Sequence, residues 1–254
     1  MFELLALCGF AFLAGFIDSV VGGGGLIQLP ALLVLLPASA PAVVFGTNKC
    51  VSVTGTLAAA TNYARHVRIE WRVALPGAVA GLIFAAAGAA TVSHLNPALL
   101  RPMVLGLLVA VAIYTFARKD FGSLHAPRLG ARRQLWLSVL IGATIGFYDG
   151  FFGPGTGSFL IFLFIGVFGF DFLSASAASK VINSATNIGA LAYFFAKGSV
   201  LFHLVVPMAV CNVAGSFAGT RLAVLKGSRF VRVLFLVVVS AIICKLAYDL
   251  THQK

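Results

Sequence analysis

Charge, and acid above all, is what this sequence has least of. Of 254 residues only seven are Asp or Glu, and charged residues of every kind make up 10%, against about 25% in soluble domains. A shortage of that size excludes a water-soluble globular domain. The mean hydropathy is +1.03. Apolar runs of about 20 residues recur along nearly the whole length, and each can cross a hydrocarbon core of about 30 Å. Period-two alternation is also missing and the runs are too long for barrel strands, so a transmembrane β-barrel is excluded. The chain reads as an all-α, polytopic membrane protein.

Other absences narrow the function. The four cysteines, Cys8, Cys50, Cys211 and Cys244, show no C-x-x-C spacing, and the five histidines make no ligand pair at helical spacing. No metal or other cofactor is expected, and the cysteines read as small buried apolar residues. No nucleotide-binding motif occurs, so a gradient rather than ATP must drive any work. The net charge of +11 falls mostly in short loops between apolar runs. There it is a topology signal rather than a nucleic-acid surface. The first run lacks a basic start and a small-x-small cleavage site, and so reads as a membrane segment instead of a removable leader.

Against this background one stretch stands out. Gly15–Leu26, GFIDSVVGGGGL, sets Asp18 in apolar sequence and follows it with four glycines. An isolated Asp in a span costs roughly 2.5–3.5 kcal/mol on insertion scales, and each helical Gly about 1 kcal/mol relative to Ala. Such a stretch breaks a helix. It recurs as Gly146–Gly157, GFYDGFFGPGTG, with Asp149 lying 131 positions after Asp18. The same offset pairs Lys49 with Lys180, Pro76 with Pro207, Gly88 with Gly219 and Arg101 with Arg232. The chain is therefore a duplication: residues 1–117, a basic linker at 118–133, and residues 134–254.

Each copy holds a long run, a Gly-rich break, a short run and three further long runs. In the first these are Phe2–Val21, Leu26–Leu36, Ala42–Tyr63, Val73–Val92 and Pro97–Phe116; in the second Leu135–Phe152, Phe159–Phe168, Leu173–Phe195, Val200–Leu222 and Val231–Leu250. A short run of about 11 residues makes only about 16 Å of helix. That gives about ten membrane segments, eight long and two short half-helices, five to a repeat. Placing the basic stretches Arg65–Arg72, Arg118–Arg133 and Arg221–Arg232 in the cytoplasm puts matching positions of the two copies on opposite sides. The repeats are then inverted, with both termini outside.

Inverted copies that each carry a broken helix are the pattern of secondary transporters, whose sites lie where half-helix N-termini face the midplane. Gly24 and Gly25 in one copy, and Gly155, Thr156 and Gly157 in the other, would offer backbone N–H groups to a ligand there. Lys49 is preceded by Asn48 and followed at helical spacing by Ser52 and Thr56; Lys180 is followed by Asn183, Ser184 and Asn187. One ammonium among neutral hydrogen-bonding groups suits an oxyanion. For Asp18 and Asp149 three roles stay open: holding the lysines, carrying a proton or sodium ion, or capping the Gly-rich turn. Asp171, without an acidic counterpart, reads as a helix N-cap. Paired carboxylates can also do catalysis, but these two are repeat equivalents without a His or metal set, so no enzyme is expected.

GFIDSVVGGGG with GTNK, and GFYDGFFGPGTGSF with SK, resemble the TauE/SafE (TSUP) family, in its YfcA-like branch, over essentially the whole chain. The resemblance implies a bacterial inner-membrane transporter of sulfite, of sulfonates such as sulfoacetate, or of related organosulfur anions. The partners it implies are a small anion and the lipid bilayer. Direction, coupling ion and oligomeric state stay open, and a passive anion channel of the same fold is the alternative. The chain departs from exact duplication where Ala178-Ser179-Lys180 stands against Thr47-Asn48-Lys49.

Overall fold

The computed structural model describes residues 2–36, 38–92 and 129–252, and these are all-helical. Helix α1 is Phe2–Val21, α2 Gly25–Leu35, α3 Pro41–His66, α4 Trp71–Val92, α5 Ala131–Phe151 and α6 Thr156–Leu163. A π-helical stretch, Phe164–Phe168, extends α6, and then follow α7, Phe172–Ala196, and α8, Phe202–His252. The run expected at Pro97–Phe116, with Arg101 and most of the basic linker, lies outside the described residues.

The boundaries follow local chemistry. Pro41 sits in the first turn of α3, where its missing N–H is no loss. The Asp171 carboxylate caps α7 by accepting from the Ser174 N–H at 3.1 Å, as its position suggested, and it also accepts from the Ser228 hydroxyl. The basic stretch Arg221–Arg232 is not a loop. It lies within α8, which is broken at one residue, Gly227, with φ of 72°. The cysteines are less enclosed than expected, since Cys8, Cys50 and Cys211 are half-buried free thiols.

Three helices among the described residues are long and apolar enough to cross a membrane, within Glu3–Val21, Trp71–Thr91 and Phe202–Val231. Their outward faces are greasy: Leu75, Val79, Leu82 and Ile83 on α4, and Phe202, Val206, Val210 and Phe217 on α8, are all exposed. Recurring at one- and two-turn helical spacings, they form stripes that water would penalise and lipid would not. The protein is an integral membrane protein.

Small residues set the packing. Gly142, Gly146 and Gly150 of α5 abut the backbone of Gly77, Gly81 and Ala85 of α4, a small-x-x-x-small seam of the kind that lets membrane helices approach closely. Partner numbers rise together, so α4 and α5 are parallel. Along α1 and α8 the Asn212 amide donates to the Ala11 carbonyl at 2.9 Å, while Gly215 and Gly219 abut Phe12 and Phe16. These two are also parallel. The Leu201 N–H donates to Thr47 and the Ser216 hydroxyl to the Gly55 carbonyl, which makes α3 parallel to α8. Ile182 and Thr186 meet Gly77 and Gly81, which makes α7 parallel to α4. Phe45 stacks on Phe194 while Lys49 bonds Asn187, so α3 and α7 are antiparallel.

Two sets of three follow: α1, α3 and α8 run one way, and α4, α5 and α7 the other. Because α1 and α3 share a direction, α2 must bring the chain back between them. It does so beside α1, with Gly24 against Ala14 and Asp18, and Gln28 near Asn212. The turn after α3, the start of α5 and the break in α8 accordingly share one end of the molecule. Arg65, Arg68, Arg72, Arg132, Arg133, Lys226 and Arg229 gather there, and Lys197 lies at the other end.

Candidate functional site

Both helix breaks turn on a glycine with positive φ, Gly22 at 80° and Gly153 at 90°, and these are repeat equivalents. That backbone region costs an L side chain roughly 1–2 kcal/mol, which is why Gly ends α1 and α5 here. The short helices start just beyond, α2 with Gly24 as N-cap and α6 with Gly155. Gly25 and Gly157 thus lie inside the first turns, one to three residues earlier than the apolar runs suggested.

A helix end inside a membrane cannot send its free carbonyls to water. At the end of α1 they are met from other elements. The Tyr63 hydroxyl donates to the Ser19 carbonyl at 3.0 Å, Ser176 to Val20 at 3.2 Å and Ser158 to Val21 at 2.8 Å, and the Ser158 N–H donates to Gly22 at 3.1 Å. The end of α5 is satisfied locally. Thr156 gives its N–H (3.2 Å) and its hydroxyl (2.7 Å) to the Gly153 carbonyl, and Tyr148 its hydroxyl (2.7 Å) to Pro154. The two breaks touch directly, because a Cβ on Gly22 would lie 2.2 Å from the Gly157 carbonyl carbon.

Around this contact sit four charges in two ion pairs, with Lys49, Asp149 and Lys180 buried and Asp18 half-buried. Lys49 Nζ lies 2.8 Å from Asp149 Oδ2, and Lys180 Nζ donates to Asp18 Oδ2 at 2.8 Å. Each lysine takes the aspartate of the other copy. Lys49 also donates to Asn187 Oδ1 at 3.1 Å, and Asp149 Oδ1 accepts from the Thr156 hydroxyl at 2.7 Å. Asp149 Oδ2 meets Lys49 as an ion pair without a well-aligned hydrogen bond. The other pair is thinner, since Asp18 Oδ1 has only the Gly24 N–H at 3.3 Å.

The charges border a cavity of about 30 Å³. Of the residues picked out by sequence, Asp18, Gly24, Gly25, Asn48, Lys49, Ser52, Thr56, Asp149, Gly155, Thr156, Gly157, Asn183 and Asn187 all line it. Two do not. Lys180 is fully enclosed behind Asp18, and Ser184 turns its hydroxyl back onto the Lys180 carbonyl at 2.7 Å. Both lysines are matched in charge by an aspartate, the contact that the first of the three roles left open for Asp18 and Asp149 calls for.

Gln28 and Asn212 complete the wall. Asn212 donates to Gln28 Oε1 at 3.1 Å and Gln28 to the Asn48 carbonyl at 3.4 Å. Repeat logic missed them because their counterparts are Phe159 and Gly81. The signal that could have found them is a lone amide inside an apolar run. The Asn48 Oδ1 atom is buried without a hydrogen-bond partner, an acceptor waiting beside the cavity.

Comparison with known proteins agrees with this picture. The profile of the sulfite exporter TauE/SafE family matches residues 7–246. A probable membrane transporter protein, ORF9, from Sinorhizobium sp is 35% identical over 99% of this chain and 95% of its own. The probable membrane transporter protein YfcA of Escherichia coli K12 is 32% identical, covering 96% and 89%. A probable membrane transporter protein of Haemophilus influenzae is 31% identical, covering 94% and 92%. No solved structure matches.

Proposed function

The chain belongs to the sulfite exporter TauE/SafE family, a family of membrane transporters and not of enzymes, and from that premise we propose that it is a secondary active transporter of a small sulfur-containing oxyanion. Sulfite, or a sulfonate such as sulfoacetate, is the substrate class. The observation that carries this reading is the cross-paired Lys–Asp quartet, buried where two broken helices meet. Lys49 lies at the cavity and Lys180 one carboxylate behind it. Both hold charge at a place where a membrane protein keeps it only for use.

In the proposed cycle the anion replaces a carboxylate against a lysine. The amides of Asn48, Asn183 and Asn187, the hydroxyls of Ser52 and Thr56, and the N–H groups of the first turns of α2 and α6 replace its water. The proposed architecture is two inverted repeats of five membrane segments, residues 1–117 and 134–254, joined by the basic linker. Supporting it, α3 and α7 are repeat equivalents and run antiparallel. The contacts of α1 with α8 also mirror those of α5 with α4. We place the basic end of the molecule in the cytoplasm, the termini outside and the whole in the bacterial inner membrane.

A cavity of about 30 Å³ has room for little more than one or two waters. An open anion channel needs a continuous path wide enough for the ion, and the small volume of this cavity supports the transporter over it. The test is uptake of radiolabelled sulfite, sulfoacetate and taurine by proteoliposomes. The expected result is saturable uptake, lost in Lys49→Ala and in Lys180→Ala. Intact uptake in both variants would remove the anion-site assignment, and ohmic current without accumulation would favour the channel.

A further inference from the structure

The two carboxylates are repeat equivalents, but the structure does not treat them alike. Resting on the transporter reading above, we propose that Asp18 takes up a proton with each anion while Asp149 stays ionised. The substrate then moves as an anion–proton pair.

Charge counting is the first step. The described residues around the cavity carry two lysines and two aspartates, a sum of zero. An anion arriving alone would leave a net negative charge among helices that exclude water, which such surroundings penalise heavily. A cation must come with it, and a proton needs no space.

Which carboxylate receives the proton follows from what each would lose. Asp149 has Lys49 on one oxygen and the Thr156 hydroxyl on the other, and its side chain is 2% exposed. Asp18 has Lys180 on one oxygen, one long N–H contact on the other, and 15% exposure. Both carboxylates line the cavity, but Asp18 has the weaker second bond to its ionised form and is the more exposed of the two, so a proton reaches it more readily. Other groups with a charge or an ionisable proton near Asp18 are Lys180 from α7, Lys49 and Tyr63 from α3, and Asp149 from α5. From α2, α6 and α8 it faces neutral groups such as Gln28, Thr156 and Asn212.

The step balances simply. Asp18 carboxylate plus a proton gives the neutral acid, one O–H bond forms, and Lys180 stays an ammonium throughout. Lys180 then lacks its partner, and the anion takes the place Asp18 held. Asp18 is thus a proton-operated cover over the second lysine, which accounts for Lys180 being enclosed while Lys49 lines the cavity.

The test uses methanesulfonate, a monoanionic sulfonate whose charge is constant between pH 6 and 8, in sodium-free proteoliposomes with the membrane potential clamped. Wild type should show counterflow at equal pH, and several-fold accumulation when a pH gradient is imposed. In a lightly buffered medium its uptake should also alkalinise the outside, a readout that needs no variant. Asp18→Asn, a mimic of the protonated acid, should lose both the response to the pH gradient and the alkalinisation, while Asp18→Glu should regain them. No counterflow of methanesulfonate or sulfite in wild type would overturn the transporter reading, and this proposal with it. Counterflow with a sodium gradient substituting for protons, or with no alkalinisation, would overturn the proposal alone. So would a well-folded Asp18→Asn that still follows the pH gradient.

Discussion

The two helix breaks share a sequence pattern and are held in opposite ways. The first, at Gly22, is stitched from outside: Tyr63, Ser158 and Ser176 come from α3, α6 and α7 to its last carbonyls. The second, at Gly153, is closed by its own Thr156 and Tyr148. The ion pairs divide likewise, with Lys49–Asp149 reinforced on both partners and Lys180–Asp18 resting on one short bond. Two similar sequence stretches thus end in different surroundings, one pair bonded on both partners and the other on fewer groups. Ser158 and Ser176 stand where the first copy has Ile27 and Phe45, so the external ties exist in one direction only.

The largest effect should come from forcing the breaks apart. Gly22→Ala places a Cβ 2.2 Å from backbone that cannot yield, whereas at Gly153 the nearest atom is the movable Lys49 Nζ at 3.0 Å. Gly22→Ala should abolish recovery of folded protein. Gly153→Ala should cost only the left-handed backbone penalty of about 1–2 kcal/mol. Size-exclusion profiles after mild solubilisation compare them, and equal recovery would erase the distinction.

Next in size is the contrast between the carboxylates. Asp149→Asn strands Lys49 with its charge unanswered, a loss of about 3–5 kcal/mol for a buried pair. Asp18→Asn should cost clearly less, because its site is partly open. Thermal unfolding in detergent would rank them, and a larger drop for Asp18→Asn would reverse the comparison.

The double variant Lys49→Met/Asp149→Leu sharpens the point. Removing both charges of a buried pair is often neutral or stabilising by about 1–4 kcal/mol, so its melting temperature should return to wild type or above. Its uptake should stay at zero. Recovered uptake would mean that the rigid pair is only structural.

The smallest effects concern single bonds. Thr156→Val removes a hydroxyl that serves the charged Asp149 and should cost about 1.5–3 kcal/mol. Tyr63→Phe removes one neutral bond to the Ser19 carbonyl and should cost about 0.5–1.5 kcal/mol. Reversal of that order in unfolding midpoints would show that the external stitching matters more than the internal closure.

Much of this was legible in the residues. Phe2–Val21 was readable as α1 because an uninterrupted apolar run has one stable form in lipid, a helix that satisfies its own backbone. The breaks were legible because a Gly run after an aspartate has no other sense inside a membrane. The polar face of α3 was legible through its spacing, and the cap of α7 through Asp171. What escaped were features without a local signature. Ser184 has the right spacing, yet its hydroxyl is spent on the preceding turn. Gln28 and Asn212 have no repeat partner, so symmetry argued them away. Lys180 looks the equal of Lys49 in sequence, and only packing hides it behind Asp18.

Composition and periodicity by themselves determined a membrane-embedded helical protein, duplicated, with two breaks and two pairs of opposite charges. These follow from how water and lipid treat a chain, which is a local matter of hydropathy and backbone bonding. Only the tertiary structure decided which lysine answers which aspartate, because that depends on the packing of α1 and α5 against α7 and α3, which brings residues far apart in sequence to one point. The same packing leaves Asp149 enclosed at 2% exposure and Asp18 at 15%. A difference in burial between equivalent residues arises from their neighbours, and those neighbours are assembled only when the chain has folded.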